Sequence, residues 1–218
     1  MSRRSSCKGG ASGSSSPSLR QYEAARLPLP MTGVKTHYSL AGKCDGLLLA
    51  TLSSSQNHLT MSKSNPLIKA LKEFLSGGHA HVTFEDAVKN LSTDLQGTTP
   101  PGMPYSIWQL VEHIRITQWD ILEFSKSEKH TSPDWPSGYW PKEKAPANAA
   151  AWKQSLEQIH RDRKDFISLL EQPDADLYTP FPWGDGQNLL REAMLIADHT
   201  SYHTGEIIVL RRMLNAWD

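Results

Sequence analysis

Residues 188–214 contain no proline and only one glycine, Gly205, and they are rich in leucine, isoleucine, methionine and alanine. Residues three and four positions apart share one face of an α-helix. At this spacing the segment carries one continuous apolar stripe that includes two histidines. The stripe consists of Leu189, Ala193, Ile196, His199, His203, Ile207, Leu210 and Leu214. The segment therefore predicts a long amphipathic helix with two histidines on its inward face.

Other segments of the chain predict further helices. Ser106 and Gln109 have the spacing of a capping box, S-x-x-Q, directly before apolar residues at helical spacing. Proline-rich loops separate the helix-forming stretches, and no stretch shows the alternation of a strand. The predicted helices span about 65–75, 106–127, 148–170 and 188–214, and a short helix follows Thr83. We therefore predict an all-α fold, a four-helix bundle of the kind that can hold a metal in its core.

The first 60 residues differ in composition from the rest of the chain. They are dense in serine and glycine, lack tryptophan, and carry seven basic but only two acidic residues. Because such a segment buries too little apolar surface to offset the entropy lost on ordering, we predict a disordered extension over 1–60 and a folded domain over 61–218. Met61 begins a segment of globular composition, so we expect it to be the natural start, with the extension not part of the native protein. A transit peptide is the alternative for the extension.

Charge and cysteine content exclude several classes of function. The chain has 23 basic and 23 acidic residues. Outside the extension, 16 basic and 21 acidic residues remain. A mildly acidic domain argues against a nucleic-acid partner, and no stretch approaches the roughly 20 apolar residues of a membrane span. The only cysteines, Cys7 and Cys44, lie in the extension, so the domain has no cysteine-ligated zinc and no thiol nucleophile. We expect a cytoplasmic protein.

His199 and His203 are candidates for a pair of metal ligands. They lie one helical turn apart, so both imidazoles can reach one ion. A third histidine, His113, falls at the edge of the apolar stripe of the helix predicted from Ser106. Three imidazoles with one open position are typical of catalytic metal sites. The pair is not the HExxH motif, because Thr200 stands in place of the glutamate. The alternative for each histidine is an ordinary hydrogen-bonded residue.

The arrangement of these histidines resembles that of the DinB/YfiT-like superfamily. His113 lies on one predicted helix, and D-H-x-x-Y-H-x-G-E-I surrounds His199 and His203 on another. The segments GMPYSIWQLVEHIR and GYWP contribute to the resemblance, which covers residues from Met61 to the C-terminus. The resemblance implies a four-helix bundle, often a homodimer, that holds a divalent metal through the three histidines. Zinc or nickel would suit these ligands best, with iron or manganese as alternatives.

The resemblance also implies a class of reaction. Some members of the superfamily are metal-dependent transferases or isomerases that use low-molecular-weight thiols such as bacillithiol or mycothiol. The implied function is a thiol S-transferase, with a small-molecule thiol as the partner at the open metal position. Two alternatives remain open, a metal-dependent hydrolase and a non-catalytic metal-binding bundle that serves dimerisation or another interaction. Fold analogy does not choose among them.

Two carboxylates are candidates for supporting the ligands. A metal-bound histidine usually donates its second ring N–H to a carboxylate, a carbonyl or water. Asp120 lies seven residues after His113, and Glu206 lies seven residues after His199, so each shares a helix face with a ligand. We expect the loop aromatics mainly to anchor the loops to the bundle. The candidates for lining a substrate pocket are Tyr202, His81 and Trp183.

Overall fold

The structure, a computed structural model, describes residues 65–77 and 80–217. These residues form six α-helices and one 3-10 turn, and they contain no β-strand, so the prediction of an all-α fold is confirmed. The predictions for the extension and for the start at Met61 lie outside the described residues and stay predictions. The helices are α1 (Pro66–Ser76), α2 (Phe84–Val88), α3 (Thr93–Gln96), α4 (Ile107–Lys126), α5 (Ala149–Leu170) and α6 (Leu189–Met213), and the 3-10 turn spans Ser137–Tyr139.

Each of the four longer helices begins at a side chain that caps its first turn. The Ser106 hydroxyl accepts the backbone N–H of Gln109 at 3.2 Å, and the Gln109 side chain accepts the backbone N–H of Ser106 at 3.1 Å. This reciprocal pair is the predicted capping box. The asparagines Asn65, Asn148 and Asn188 cap α1, α5 and α6 with one hydrogen bond each. These caps satisfy N–H groups that have no partner within the helix, so local sequence determines where the helices begin.

The four longer helices, α1, α4, α5 and α6, form the bundle. α4 packs against α5 and α6, and α1 packs against the same two helices, so the order around the bundle is α1, α5, α4, α6. The short α2 lies against α6, and α3 lies against α4. Within the described part of the chain, no helix is both long and apolar enough to cross a membrane. The predicted bundle is confirmed, and it makes α4 and α6 direct neighbours.

Two apolar clusters form the core, and a band of polar side chains separates them along α4 and α6. In the first cluster, Ile107, Leu110 and Ile114 of α4 lie with Ile207 and Leu210 of α6. In the second, the residues from these two helices are Ile121, Leu122, Ala193, Ile196 and Ala197. The buried polar residues between the clusters include His113, Thr117, Gln118, Asp120, His203 and Thr204. Because α4 and α6 run antiparallel, the polar band of one helix faces that of the other.

The loop between α4 and α5 is attached to the first turn of α4. The Ser106 hydroxyl, which caps that turn, donates a hydrogen bond to the backbone oxygen of Lys144 at 2.5 Å. The side chain of Gln109 donates to the backbone oxygen of Pro141 at 3.2 Å. The same two residues that start the helix therefore hold the loop that follows it. This attachment fixes the part of the loop around Tyr139, which is fully buried.

Replacing Ser106 by alanine tests this double role. Loss of the cap should cost about 1 kcal/mol in the free energy of unfolding, and loss of the buried hydrogen bond to Lys144 should cost about 1 kcal/mol more. Asn148→Ala is the matched control, because it removes an exposed helix cap that makes no loop contact of this kind. Urea unfolding of the two variants would measure the difference. Equal losses would show that the contact with Lys144 contributes nothing.

Candidate metal site

Three histidines from two helices meet in the polar band. His113 lies on α4, and His199 and His203 lie one turn apart on α6. The Nε2 atoms of His113 and His199 are 3.0 Å apart, and the centroids of the three rings are 4.8, 4.7 and 4.5 Å from one another. The structure therefore brings together the three side chains that the sequence indicated.

The loop between α4 and α5 orients His113. Its Nδ1 atom donates a hydrogen bond to the backbone oxygen of Tyr139 at 2.9 Å. Because a carbonyl oxygen can only accept, Nδ1 carries the proton and the lone pair lies on Nε2, which faces His199. The indole of Trp140 lies flat against the imidazole, with a centroid distance of 4.0 Å and an angle of 7° between the planes. These contacts set both the tautomer and the plane of the His113 ring.

Glu206 orients His203 in a similar way. Its Oε2 atom accepts a hydrogen bond from Nδ1 of His203 at 2.6 Å, which leaves Nε2 of that ring for a metal. The hydroxyl of Tyr105 donates to the other carboxylate oxygen. Glu206 was singled out because it lies seven residues after His199, a spacing of about 10 Å along a helix axis. Glu206 instead contacts the histidine three residues before it.

Asp120 supports the site only indirectly. Its two oxygens accept hydrogen bonds from Nε2 of His130 at 2.7 Å and from the hydroxyl of Tyr139 at 2.6 Å. Within the described part of the chain, no hydrogen bond joins Asp120 to His113, although the two residues share a face of α4. The reason is again the distance of two helical turns between them. Asp120 holds the tyrosine ring, and the backbone of the same tyrosine holds His113.

The three predicted pocket residues lie in different places. Tyr202 is exposed, and its ring meets that of His203 edge-on at 4.9 Å, so it borders the site. His81 is exposed and lines a small depression with Thr200, on the adjacent face of α6. Trp183 donates its indole N–H to a backbone oxygen in the last turn of α4 at 2.9 Å. The structure therefore brings Tyr202 to the histidines, whereas the contacts of His81 and Trp183 lie elsewhere.

Burial sets the protonation of the site. Burial and the neighbouring His203 lower the pKa of His113 to about 4. Burial, together with the other two histidines, also lowers the pKa of His199 well below 6.5. Burial alone would raise the pKa of Glu206, but the hydrogen bonds from His203 and Tyr105 outweigh it, so the pKa is lowered. At neutral pH, His113 and His199 are therefore uncharged and can offer lone pairs beside an ionised carboxylate.

The nitrogen atoms fit a single divalent metal ion. Metal–nitrogen bonds are about 2.0–2.1 Å long, so two nitrogens on one ion lie within about 4 Å of each other. The separation between His113 and His199 meets this limit, and all three ligand atoms lie within 4.8 Å of one another. Binding of an ion would draw all three nitrogens to within about 4 Å of one another. Within the described residues, this set contains no fourth ligand, which leaves a coordination position for water or substrate.

Sequence reasoning considered Tyr139 and Trp140 only as loop aromatics that wall a pocket or anchor a loop, and it did not consider Tyr105 as part of the site. Tyr139 acts through its backbone oxygen, which leaves no mark in a sequence. Tyr105 and Trp140 belong to the GMPYSIW and GYWP segments, on which the family resemblance rested. Membership of these segments was the one sequence signal that could have pointed to the two residues. The loop aromatics were expected mainly as anchors. Trp183 is such an anchor, whereas Trp140 covers a candidate ligand.

The pKa of His113 predicts how the metal-free protein responds to pH. Because the folded-state pKa lies below the usual 6.5, the unfolded state binds more protons in acid, and the free energy of unfolding should fall as the pH drops from 6.5 towards 4. His113→Gln should weaken this dependence, since glutamine does not titrate. Urea unfolding at several pH values would measure both slopes. Identical slopes would contradict the low pKa.

Comparison with known proteins places the helical domain in a family. The family model described as "DinB superfamily" matches residues 79–207, which is more than half of the chain and includes all three histidines. The match is narrower than the resemblance from Met61 to the C-terminus that the sequence indicated. The search of curated proteins finds no match. With the histidine set, the helical fold and this match together, the chain belongs to the DinB superfamily.

Proposed function

We propose that His113, His199 and His203 hold one divalent metal ion, and that a low-molecular-weight thiol binds at its open position for transfer to an electrophilic substrate. The observation that carries this proposal is the convergence of three imidazole nitrogens from α4 and α6. Among the residues that the structure describes, no fourth protein ligand joins this group. Structural zinc sites normally use four protein ligands, whereas catalytic sites commonly use three. Three ligands therefore favour a site that works on a bound molecule.

The surroundings of the histidines favour a thiol over water as the bound molecule. A hydrolase would need a general base to take a proton from water. The carboxylate nearest to the ligands is that of Glu206, and both of its oxygens already accept hydrogen bonds, from His203 and from Tyr105. A thiol needs no such base, because a thiol that coordinates a metal loses its proton readily.

The proposed reaction is the formation of a thioether. When bound, a divalent metal supplies a Lewis acid that lowers the pKa of the thiol at the open position. The thiol proton passes to solvent, the sulfur forms a bond to an electrophilic carbon, and the bond from that carbon to its leaving group breaks. Glu206 keeps His203 in one tautomer throughout, and Trp140 shields one face of His113 from water. Tyr202 borders the site and would contact the thiol or its acceptor.

The proposal includes the expected ions and partners. Imidazole ligands suit zinc or nickel, with iron or manganese as alternatives, and availability decides among them. The second candidate function is a metal-dependent hydrolase, and the observation that favours it is the ionised carboxylate of Glu206, which would act as base if it released Tyr105. The third is a non-catalytic bundle whose metal serves dimerisation. The expected homodimer and the cytoplasmic location stay predictions.

Removing one ligand tests the metal site. We expect His203→Ala to abolish stoichiometric metal binding, because two nitrogens hold an ion far more weakly than three. His160→Ala is the matched control, since that histidine is exposed on α5 and should leave one equivalent bound. Elemental analysis after dialysis would measure both. A full equivalent in His203→Ala would contradict the ligand assignment.

Cobalt substitution tests whether the open position accepts a thiol. We expect 2-mercaptoethanol to produce a saturable new absorption band from sulfur-to-cobalt charge transfer, and ethylene glycol, its oxygen counterpart, to produce none. An assay with bacillithiol or mycothiol and an activated aryl halide should then release halide in step with thioether formation. No spectral change with any thiol would contradict thiol binding and favour the hydrolase or the non-catalytic bundle.

A further inference from the structure

We propose that Tyr105 is a positioning residue that holds two of the three histidines in register, His203 through Glu206 and His113 through Trp140. This role rests on the proposed metal site but not on the proposed reaction. Tyr105 immediately precedes Ser106, the residue that caps α4. Among the described residues, no hydrogen bond or ring contact joins it directly to either histidine, so its effect on both passes through Glu206 and Trp140.

The first route is a chain of hydrogen bonds. The hydroxyl of Tyr105 donates to Oε1 of Glu206, and Oε2 of the same carboxylate accepts from Nδ1 of His203 at 2.6 Å. A carboxylate on a helix can rotate among several positions when it is held at one oxygen only. With both oxygens held, the plane of the carboxylate is set, and so is the direction in which the His203 ring points. Tyr105 therefore immobilises the partner of a ligand together with Tyr202, whose side chain also hydrogen-bonds Glu206.

The second route consists of two ring contacts made by Trp140. The ring of Tyr105 lies against the indole of Trp140, with centroids 5.5 Å apart and planes at 16°. The same indole also lies nearly parallel to the imidazole of His113, with centroids 4.0 Å apart and planes at 7°. Because nearly parallel rings in contact restrict one another's tilt, the position of the tyrosine limits the position of the His113 ring.

The two routes meet at the histidines and form a closed circuit. Its members are contributed by the turn before α4, α4 itself, the loop before α5, and α6. The circuit closes where the rings of His113 and His203 approach to a centroid distance of 4.7 Å. One side chain thus acts on ligands from both helices. Metal affinity depends on such outer contacts, and their loss typically costs about 10- to 100-fold.

The experiment removes the hydroxyl and keeps the ring. We expect Tyr105→Phe to weaken zinc binding by about 10- to 100-fold and to change the visible spectrum of the cobalt-substituted protein, because His203 is no longer held in one orientation. Tyr178→Phe is the matched control, since Tyr178 is 62% exposed and lies before α6, outside the circuit. Competition with a chelating dye would give the zinc Kd of each protein. Circular dichroism of the metal-free forms should show equal helix content.

A double-mutant cycle tests whether the tyrosine acts through Glu206. In the Glu206→Gln protein the carboxylate is already lost, so adding Tyr105→Phe should change the zinc Kd by less than about 3-fold, as expected for two residues in one network. Losses that multiply would show that Tyr105 does not act through Glu206. A Tyr105→Phe protein with the Kd and the cobalt spectrum of the unmodified protein would also overturn the role.

The outcomes separate this inference from the proposed function. If the unmodified chain binds zinc but no thiol, the proposed thiol transfer is wrong. The zinc Kd of Tyr105→Phe still tests the positioning role of Tyr105 in that case. If the unmodified chain binds zinc and thiol and Tyr105→Phe does so equally well, only the positioning role is wrong. If the unmodified chain binds no zinc, nickel or cobalt, both are wrong.

Discussion

Burial of imidazole inside a helical bundle imposes the main constraint on this molecule, because each ring nitrogen then needs a hydrogen-bond partner or an ion. An unpaired buried polar group costs roughly 1–3 kcal/mol, and three histidines meet in one polar band between two apolar clusters. The outer nitrogens of two rings are paired with the backbone oxygen of Tyr139 and the carboxylate of Glu206. The inner nitrogens face one another. One shared cation would coordinate all of the inner nitrogens at once. A water molecule in the same place would have to donate hydrogen bonds to several acceptors.

Apart from Glu206 on α6, the groups that orient the histidines lie outside the long helices. Tyr139 and Trp140 lie in the loop between α4 and α5, and Tyr105 lies just before α4. The side chain of Ser106 caps α4 and also donates to that loop. The orientation of the metal ligands is thus connected to the start of a helix through the loop. A local feature of helix capping contributes in this way to the geometry of the site.

The helices and the candidate ligands could be predicted because their signals are local. A capping box at Ser106, asparagines at the other helix starts, and histidines at helical spacing each depend on a few neighbouring residues. The partners of the ligands could not be predicted in the same way. Residues seven apart share a helix face but are too distant to touch, so the sequence indicated Asp120 and Glu206 as candidates without indicating which side chains they contact. The Tyr139 contact uses a backbone atom, whose position depends on the whole loop.

The division of ligands between two helices links metal binding to folding. His199 and His203 are neighbours in any helical form of their segment, whereas His113 joins them only when α4 and α6 pack side by side. An unfolded chain can therefore offer at most a weak pair, and the complete set exists only in the bundle. A ligand that binds only the folded state stabilises it by RT ln(1 + [L]/Kd). A metal held by the three histidines would therefore join α4 and α6 where the polar band interrupts the apolar core.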